Sequence, residues 1–114
     1  MDSILVIDDE RNIRYLLSKT LSFYGFKVVE AENGEEGIAC LGGDEKFKAV
    51  ITDIRLPKKN GNYVARYIRD NDTLKGIIII GLTGYVEDAE EELFDFLLSK
   101  PYKIKEIVRI IEES

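Results

Sequence analysis

The sequence predicts an α/β domain built on a parallel sheet, and three observations predict it. Short apolar runs recur along the chain: Ile4-Leu5-Val6-Ile7, Ala49-Val50-Ile51, Ile77 to Ile80 and Phe96-Leu97-Leu98. They are continuous rather than alternating, as in strands covered on both faces. Segments with helical spacing of apolar residues lie between them, so strands alternate with helices throughout. Each run leads to a polar residue: Asp8-Asp9, Asp53, Thr83 and Lys100. In an open parallel sheet, ligands bind beyond the carboxyl ends of the strands. Three acids, one hydroxyl and one ammonium are therefore expected in one pocket.

The elements follow in order. Ser3 to Ile7 forms the first strand. The first helix covers about Arg11 to Tyr24, with Ile13, Leu16, Leu17, Thr20, Leu21 and Tyr24 on its inner face. Gly25 suits the left-handed stop after its last turn. Lys27 to Ala31 is the second strand. Asn33-Gly34 turns the chain, Glu35-Glu36 load the first turn of a short helix, and Gly42-Gly43 ends it. The third strand is Ala49 to Thr52 with Asp53 at its tip, and Pro57 and Gly61 bracket the following loop. The third helix, about Asn62 to Asp70, buries Val64, Tyr67 and Ile68. Ile77 to Ile80 is the fourth strand, with Gly81 a local weak point. The fifth strand is about Phe96 to Leu98. The last helix, about Lys103 to Glu113, turns Ile104, Ile107, Val108 and Ile111 inward. Only residues 84 to 99 separate Thr83 from Lys100. Two loops and a strand leave room there for about two turns of fourth helix, near Asp88 to Phe94, distorted or partly 3₁₀.

Size and composition bound the function. A chain of 114 residues predicts one domain, residues 1–114, able to bury a core without staples. Apolar residues make up 45% and charged residues 33%, the balance of a soluble globular protein. No apolar run approaches the roughly 18 residues a bilayer demands, and Ile4 to Ile7 is too short for a signal peptide. A cytoplasmic protein with no membrane partner is expected. The net charge of −6 argues against direct nucleic-acid binding, which needs a basic face. The single Cys40 forms no internal disulfide and reads as a buried or half-buried filler. The chain has no His, which removes most general-base and zinc chemistry. What remains is carboxylate, Lys, hydroxyl or hard-cation chemistry.

The strand-end residues suit that chemistry. Packed carboxylates at Asp8, Asp9 and Asp53 repel unless a cation neutralises them. Mg²⁺ accepts hard oxygen ligands from a few carboxylates and phosphate oxygens. Asp53 is a candidate nucleophile, since a carboxylate can accept a phosphoryl group as an acyl phosphate. Lys100 can pair with Asp53 at rest and with a phosphoryl oxygen afterwards. Pro101 restricts Lys100 to an extended shape and permits a cis bond. Thr83 can donate its hydroxyl to a phosphoryl oxygen. Each residue also has a plain reading alone: Asp8 and Asp9 as caps of the first helix, Asp53 as a surface strand end, Thr83 as a strand-end hydroxyl, Lys100 as a solvated cation. Only their combination at the strand ends points to chemistry.

These residues resemble a known family. Ile4-Leu5-Val6-Ile7-Asp8-Asp9-Glu10, Asp53-Ile54-Arg55-Leu56-Pro57 followed by Gly61, Leu82-Thr83-Gly84 and Lys100-Pro101 stand in the order and places of receiver domains of two-component response regulators, of the chemotaxis-regulator kind. Glu30 to Glu36 also looks like that family's second strand and turn. The resemblance covers essentially the whole chain. It implies a flavodoxin-like five-stranded parallel sheet, order 2-1-3-4-5, flanked by five helices on its two faces. It implies that Asp53 is the phosphoacceptor, taking its phosphoryl group from a phosphohistidine on a sensor kinase or phosphotransfer protein. Asp9, Asp53 and the Arg55 backbone carbonyl would ligate Mg²⁺, Asp8 would hold a metal-bound water, and Thr83 and Lys100 would bind phosphoryl oxygens. The donor then supplies the only His the reaction needs. A downstream protein target would read the altered surface. The chain would catalyse only its own phosphorylation and dephosphorylation.

The sequence departs from that pattern twice. The Thr83 to Lys100 segment is shorter than is usual in the family. The family's aromatic switch position, three residues before the Lys, is Leu97 here, with Phe96 beside it. Arg55 and Tyr85 occupy positions that the resemblance links to gating of the hydrolytic water. Two other readings stand beside the switch. A degenerate receiver would bind partners without phosphorylation, though it would normally have lost Asp53, Lys100 or one of the paired acids. A haloacid-dehalogenase-type phosphohydrolase also uses a strand-end Asp, Mg²⁺, Thr and Lys, but needs a second Asp where Arg55 stands.

Overall fold

The computed structural model describes residues 1–114. Its elements are β1 (Ser3–Ile7), α1 (Arg11–Phe23), β2 (Lys27–Ala31), α2 (Gly34–Leu41), β3 (Phe47–Asp53), α3 (Gly61–Arg69), β4 (Ile78–Thr83), β5 (Phe96–Ser99) and α4 (Ile104–Glu112). Single 3₁₀ turns occur at Asp72–Leu74, Val86–Asp88 and Glu91–Leu93. The five strands are parallel in the order β2-β1-β3-β4-β5. No helix is long and apolar enough to cross a membrane.

Side chains alternate across each strand, so each continuous run feeds two cores. Leu5, Ile7, Val50 and Ile79 pack with Leu41, Val64, Ala65 and Ile68 under α2 and α3. Ile4, Val6, Ala49, Ile51, Ile80 and Leu82 pack with Leu17, Leu21, Ile107, Val108 and Ile111 under α1 and α4. Covering both faces explains the lack of polar alternation, and each fully buried Ile or Leu contributes about 1.5–3 kcal/mol. The chain leaves β1 toward β2 on one side and places β3 on the other. This reversal opens a crevice at the carboxyl ends of β1 and β3. Ile7 pairs in register with Thr52, so Asp8 and Asp53 arrive at the same level.

Three expectations are corrected. The buried stripe of α1 is Leu17, Ser18 and Leu21, with Ile13 and Thr20 half-buried. Leu16 (57%) and Tyr24 (39%) are exposed. Leu16 lies on the side of α1 opposite Ser18, and Tyr24 caps the helix beyond Phe23; Arg14 sits on the buried side, donating to the Asp8 carbonyl at 2.8 Å and pairing with Glu30 at 3.0 Å. The fourth strand starts later and runs on through Gly81 to Thr83. A Cβ at Gly81 would lie 2.7 Å from Leu97 Cδ2 and 2.9 Å from Phe94 Cδ1, so this glycine admits close packing rather than weakening the strand.

The third correction concerns residues 84–95, which contain no α-helix. Two separate 3₁₀ turns stand where about two turns of distorted or partly 3₁₀ helix are predicted, so the 3₁₀ character is present and the continuous helix is not. The reason is reach. A helix from Asp88 to Phe94 would advance only about 10 Å. The six residues of β4 rise about 3.3 Å each, and the connection must travel back along that length. Largely extended chain covers the distance. Four helices therefore flank the sheet, not five.

Candidate functional site

Asp8 leaves β1 buried, at 1% exposure. Its Oδ1 accepts the Glu10 N–H at 2.8 Å, while its Oδ2 is buried with no partner. No side chain caps α1, so helix capping does not account for this carboxylate. Asp53, the buried last residue of β3, holds the Lys100 ammonium at 2.7 Å through Oδ1. Asp9 is exposed on the loop above. One carboxylate oxygen from each of Asp8, Asp9 and Asp53 lies within 4.8 Å of the others.

The backbone around Asp53 is braced on several sides. The Ile54 N–H donates to Leu82 O at 3.1 Å, and the Gly61 N–H donates to Ile54 O at 2.8 Å. A Cβ at Gly61 would lie 2.3 Å from Asp53 O, so glycine alone fits this approach. The loop then crosses the start of α2. The Gly34 N–H donates to Pro57 O at 3.4 Å and the Glu35 N–H to Lys58 O at 2.8 Å. Lys58 and Lys59 take left-handed φ values of 50° and 81° to make that crossing. Asn33 caps α2 through the Glu36 N–H at 2.8 Å, and Asn60 caps α3 through the Tyr63 N–H at 2.9 Å. Lys100 is placed by its own N–H, which donates to Thr83 O at 2.8 Å, and the Lys100–Pro101 bond is cis.

Thr83 ends β4 beside this cluster, buried. Its hydroxyl donates to Tyr85 O at 2.8 Å and accepts the Tyr85 N–H at 3.0 Å. The Tyr85 ring lies 4.4 Å from the Arg55 guanidinium, and Arg55 Nε meets Asp88 Oδ2 at 2.6 Å. A cleft of about 540 Å³ opens here, lined by Asp9, Ile54, Arg55, Leu56, Pro57, Asn60 and Asp88. Leu97 is half-buried against the α2–α3 core, and Phe96 stands 42% exposed on β5.

Burial dominates the electrostatics. It pushes Asp8 up to about 6, against the lowering effect of its Glu10 N–H bond, and the charge of Asp53 adds to the rise. Asp53 is raised mainly by burial, although its bond to Lys100 pulls the other way. Burial, followed by the charges of Asp8 and Asp53, pushes the Tyr102 phenol up to about 12. An orphaned carboxylate oxygen, two acids raised by burial and a third close by form a donor set that fits a hard divalent cation.

Sequence reasoning thus brought Asp8, Asp9, Asp53, Thr83 and Lys100 to one place, with Arg55, Pro57 and Tyr85 around them. It missed Asn60 and Asp88 in the cleft wall and Tyr102 near the acids. Asn60 carries the ordinary signature of a helix cap, Asn before Gly61. The sequence places Asp88 in the fourth helix rather than at the site, and nothing local marks Tyr102 except its place beside Lys100-Pro101.

Residues 4–112 match the model of the response regulator receiver domain. The chain is 30% identical over 118 residues to the regulatory protein AtoC of Escherichia coli K12, covering 100% of this chain and 25% of that protein. It is 36% identical over 110 residues to the transcriptional regulatory protein ResD of Bacillus subtilis, covering 92% and 44%. The chain therefore spans a quarter to a half of the length of such relatives. The response regulator protein TrrA of Thermotoga maritima, solved in complex with Mg²⁺-BeF, superposes with a TM-score of 0.85 at 35% identity over 99% of this chain and 98% of that one. The chemotaxis response regulator CheY4 of Vibrio cholerae shares the fold, with a TM-score of 0.88 at 24% identity, covering 99% and 98%. With the strand-end acids, Thr83 and Lys100 in one crevice of a 2-1-3-4-5 sheet, the chain belongs to the receiver domains of two-component response regulators.

Proposed function

We propose that residues 1–114 form one phosphoacceptor switch in which Asp53 takes a phosphoryl group from a phosphohistidine donor in a Mg²⁺-dependent reaction. The observation carrying this reading is the pairing of buried Asp53 with the partly exposed Lys100 ammonium at 2.7 Å, beside two further carboxylates. Lys100 engages Oδ1 of Asp53 at 2.7 Å. An Asp53 oxygen attacks phosphorus, the P–N bond to the donor imidazole breaks, and the imidazole keeps the electron pair. Lys100 and the Thr83 hydroxyl then bind phosphoryl oxygens by charge-assisted hydrogen bonds. Asp9, Asp53 and the Arg55 carbonyl would hold Mg²⁺, with Asp8 acting through a bound water. The cation would offset repulsion between the acids and the incoming anion. A sensor histidine kinase or phosphotransfer protein is the proposed donor, and a downstream protein is the proposed reader. Incubation with acetyl phosphate and Mg²⁺ tests the reading by mass, and a chain that gains no phosphoryl group rejects it. A turnover assay with a phosphate monoester separates it from phosphohydrolase action, since a receiver releases no phosphate there.

The position of Asp8 gives a pH dependence. Its ordinary value is 3.8, and burial raises it to about 6 in the folded chain. The folded chain then binds more protons than the unfolded one between these values, so this group's contribution to ion-free stability falls as pH rises through that window. Protons and a cation compete for the same carboxylate. Mg²⁺ affinity measured by calorimetry is expected to level off above about pH 7 and to fall toward about tenfold per pH unit well below 6. A flat profile between pH 5 and 8 would show that Asp8 does not serve the cation.

Tyr85 is proposed to slow loss of the phosphoryl group by covering the cleft from its stack on Arg55. The Tyr85→Ala variant is expected to lose label about three- to tenfold faster, the scale of one partly exposed cation–π contact plus freer water access. Equal lifetimes would reject gating.

A further inference from the structure

Asp8 is tied down from three sides. Its N–H donates to Ala31 O at the end of β2, 3.1 Å away. Its carbonyl accepts Arg14 Nη1 from α1 at 2.8 Å. Its carboxylate closes the turn through the Glu10 N–H at 2.8 Å. Arg14 shuts the same turn a second time, because its own N–H donates to Glu10 O at 3.0 Å. No side chain caps α1, so this one residue braces the passage from β1 into the helix.

The Arg14 side chain is itself fixed. Its Nε meets Glu30 Oε1 on β2 at 3.0 Å, and only 14% of the side chain is exposed. Two donors of one planar fork thus serve two partners, a geometry that an ammonium does not reproduce. The placement works against the helix. A cation near the amino end opposes the helix dipole, and α1 has no acid in its first turn to offset Arg11 and Arg14. Glu30 balances the guanidinium, so Arg14 acts on the acids through geometry more than through charge.

The residue that gains from this brace is Asp9. It is exposed, and its side chain has no hydrogen bond or ion pair of its own. Yet one of its oxygens lies within 4.8 Å of oxygens of Asp8 and Asp53. Repulsion pushes an untethered carboxylate out of such a cluster. Only the backbone holds Asp9 there, and the peptide joining it to Asp8 carries the carbonyl that Arg14 grips.

We propose that Arg14 is a positioning residue for the cation: held by Glu30, it fixes the Asp8–Asp9 peptide and keeps the Asp9 carboxylate beside Asp8 and Asp53. The inference rests on the Mg²⁺-dependent phosphoacceptor reading. Arg14 touches no ligand. It gathers the acids before the ion arrives, as the outer partners of metal ligands do.

Mg²⁺ affinity from amide-shift titration of the whole chain, together with the rate of uptake from acetyl phosphate across Mg²⁺ concentrations, tests this role. Arg14→Gln is expected to weaken Mg²⁺ binding about tenfold, the lower end of what losing such a partner costs. Uptake should then need about tenfold more Mg²⁺ to reach half its maximal rate, while the rate at saturating Mg²⁺ stays within about twofold of the parent's. Arg14→Lys keeps the charge and one of the two contacts. It is expected to lose about threefold, and it carries the test where Arg14→Gln does not fold. In an Asp9→Asn background, Arg14→Gln is expected to cost less than about twofold more, because residues that act through one another are not additive. A merely structural role would lower the saturated rate and would add in full. Parent-like Mg²⁺ affinity in both Arg14 variants, or an undiminished loss beside Asp9→Asn, would overturn the inference and leave the phosphoacceptor reading standing on the parent's own uptake. A parent that neither binds Mg²⁺ nor gains a phosphoryl group removes that reading, and the role of Arg14 with it.

Discussion

Asp53→Asn is expected to abolish phosphoryl uptake from acetyl phosphate while leaving the fold intact. An amide oxygen is a far weaker nucleophile than a carboxylate and cannot form the acyl phosphate. No other acid in the crevice stands in the same place. Asp8 gives Oδ1 to the Glu10 N–H, and Asp9 sits exposed on the loop. Only Asp53 faces Lys100 at 2.7 Å. The fold should survive because the change keeps the side-chain volume and removes one of three mutually repelling charges. Lys100 is 35% exposed at its side chain, so its ammonium can turn to water rather than remain buried and unpaired. Intact mass after incubation with phosphodonor, alongside a thermal melt, checks both parts. Residual uptake at the parent's rate would move the acceptor to another residue.

Gly61→Ala is expected to cost substantial stability. The added Cβ would meet Asp53 O at 2.3 Å, Ile54 Cα at 2.9 Å and Asp53 C at 3.1 Å. All three are backbone atoms, so no flexible side chain can move aside. Either α3 or the end of β3 must shift, and the Gly61 N–H bond to Ile54 O goes with it. A cost of about 2–4 kcal/mol is expected, the range of overpacking plus a strained or lost hydrogen bond. For a domain of this size that lowers the melting temperature by roughly 10–20 °C. The displaced atoms belong to the acceptor residue, so phosphoryl uptake should fall even where the variant is folded. Gly76→Ala is the control: a Cβ there meets nothing within 4 Å, and the change is expected to stay within about 0.5 kcal/mol. Equal melts for the two variants would contradict the packing described around Asp53.

Most of the fold was legible because burial on both faces writes itself into the strands as continuous apolar runs. Val50 and Ile51 point to opposite cores, and neither position tolerates a polar residue. The strand ends were legible for a related reason: Asp53 and Thr83 are polar residues following directly on a buried run, where a packed sheet has no use for them. Residues 84–95 were not legible. Their conformation is set by the distance back to β5 and by pairing with Asn62, Arg66 and Arg69, none of which has a local period. The inner face of α1 was misjudged at Leu16 and Tyr24 because the buried stripe of Leu17, Ser18 and Leu21 turns away from Leu16 and the helix ends at Phe23, before Tyr24. Tyr102 entered the surroundings of the acids through tertiary placement alone.

The phosphoacceptor account is tested most directly by mapping the modified residue after the whole chain is treated with acetyl phosphate, once with Mg²⁺ and once with a chelator. It predicts a single added phosphoryl group, on Asp53, that appears only with the cation and is lost on standing. A chain that stays unmodified with Mg²⁺, or one that carries the group on any other residue, would contradict it.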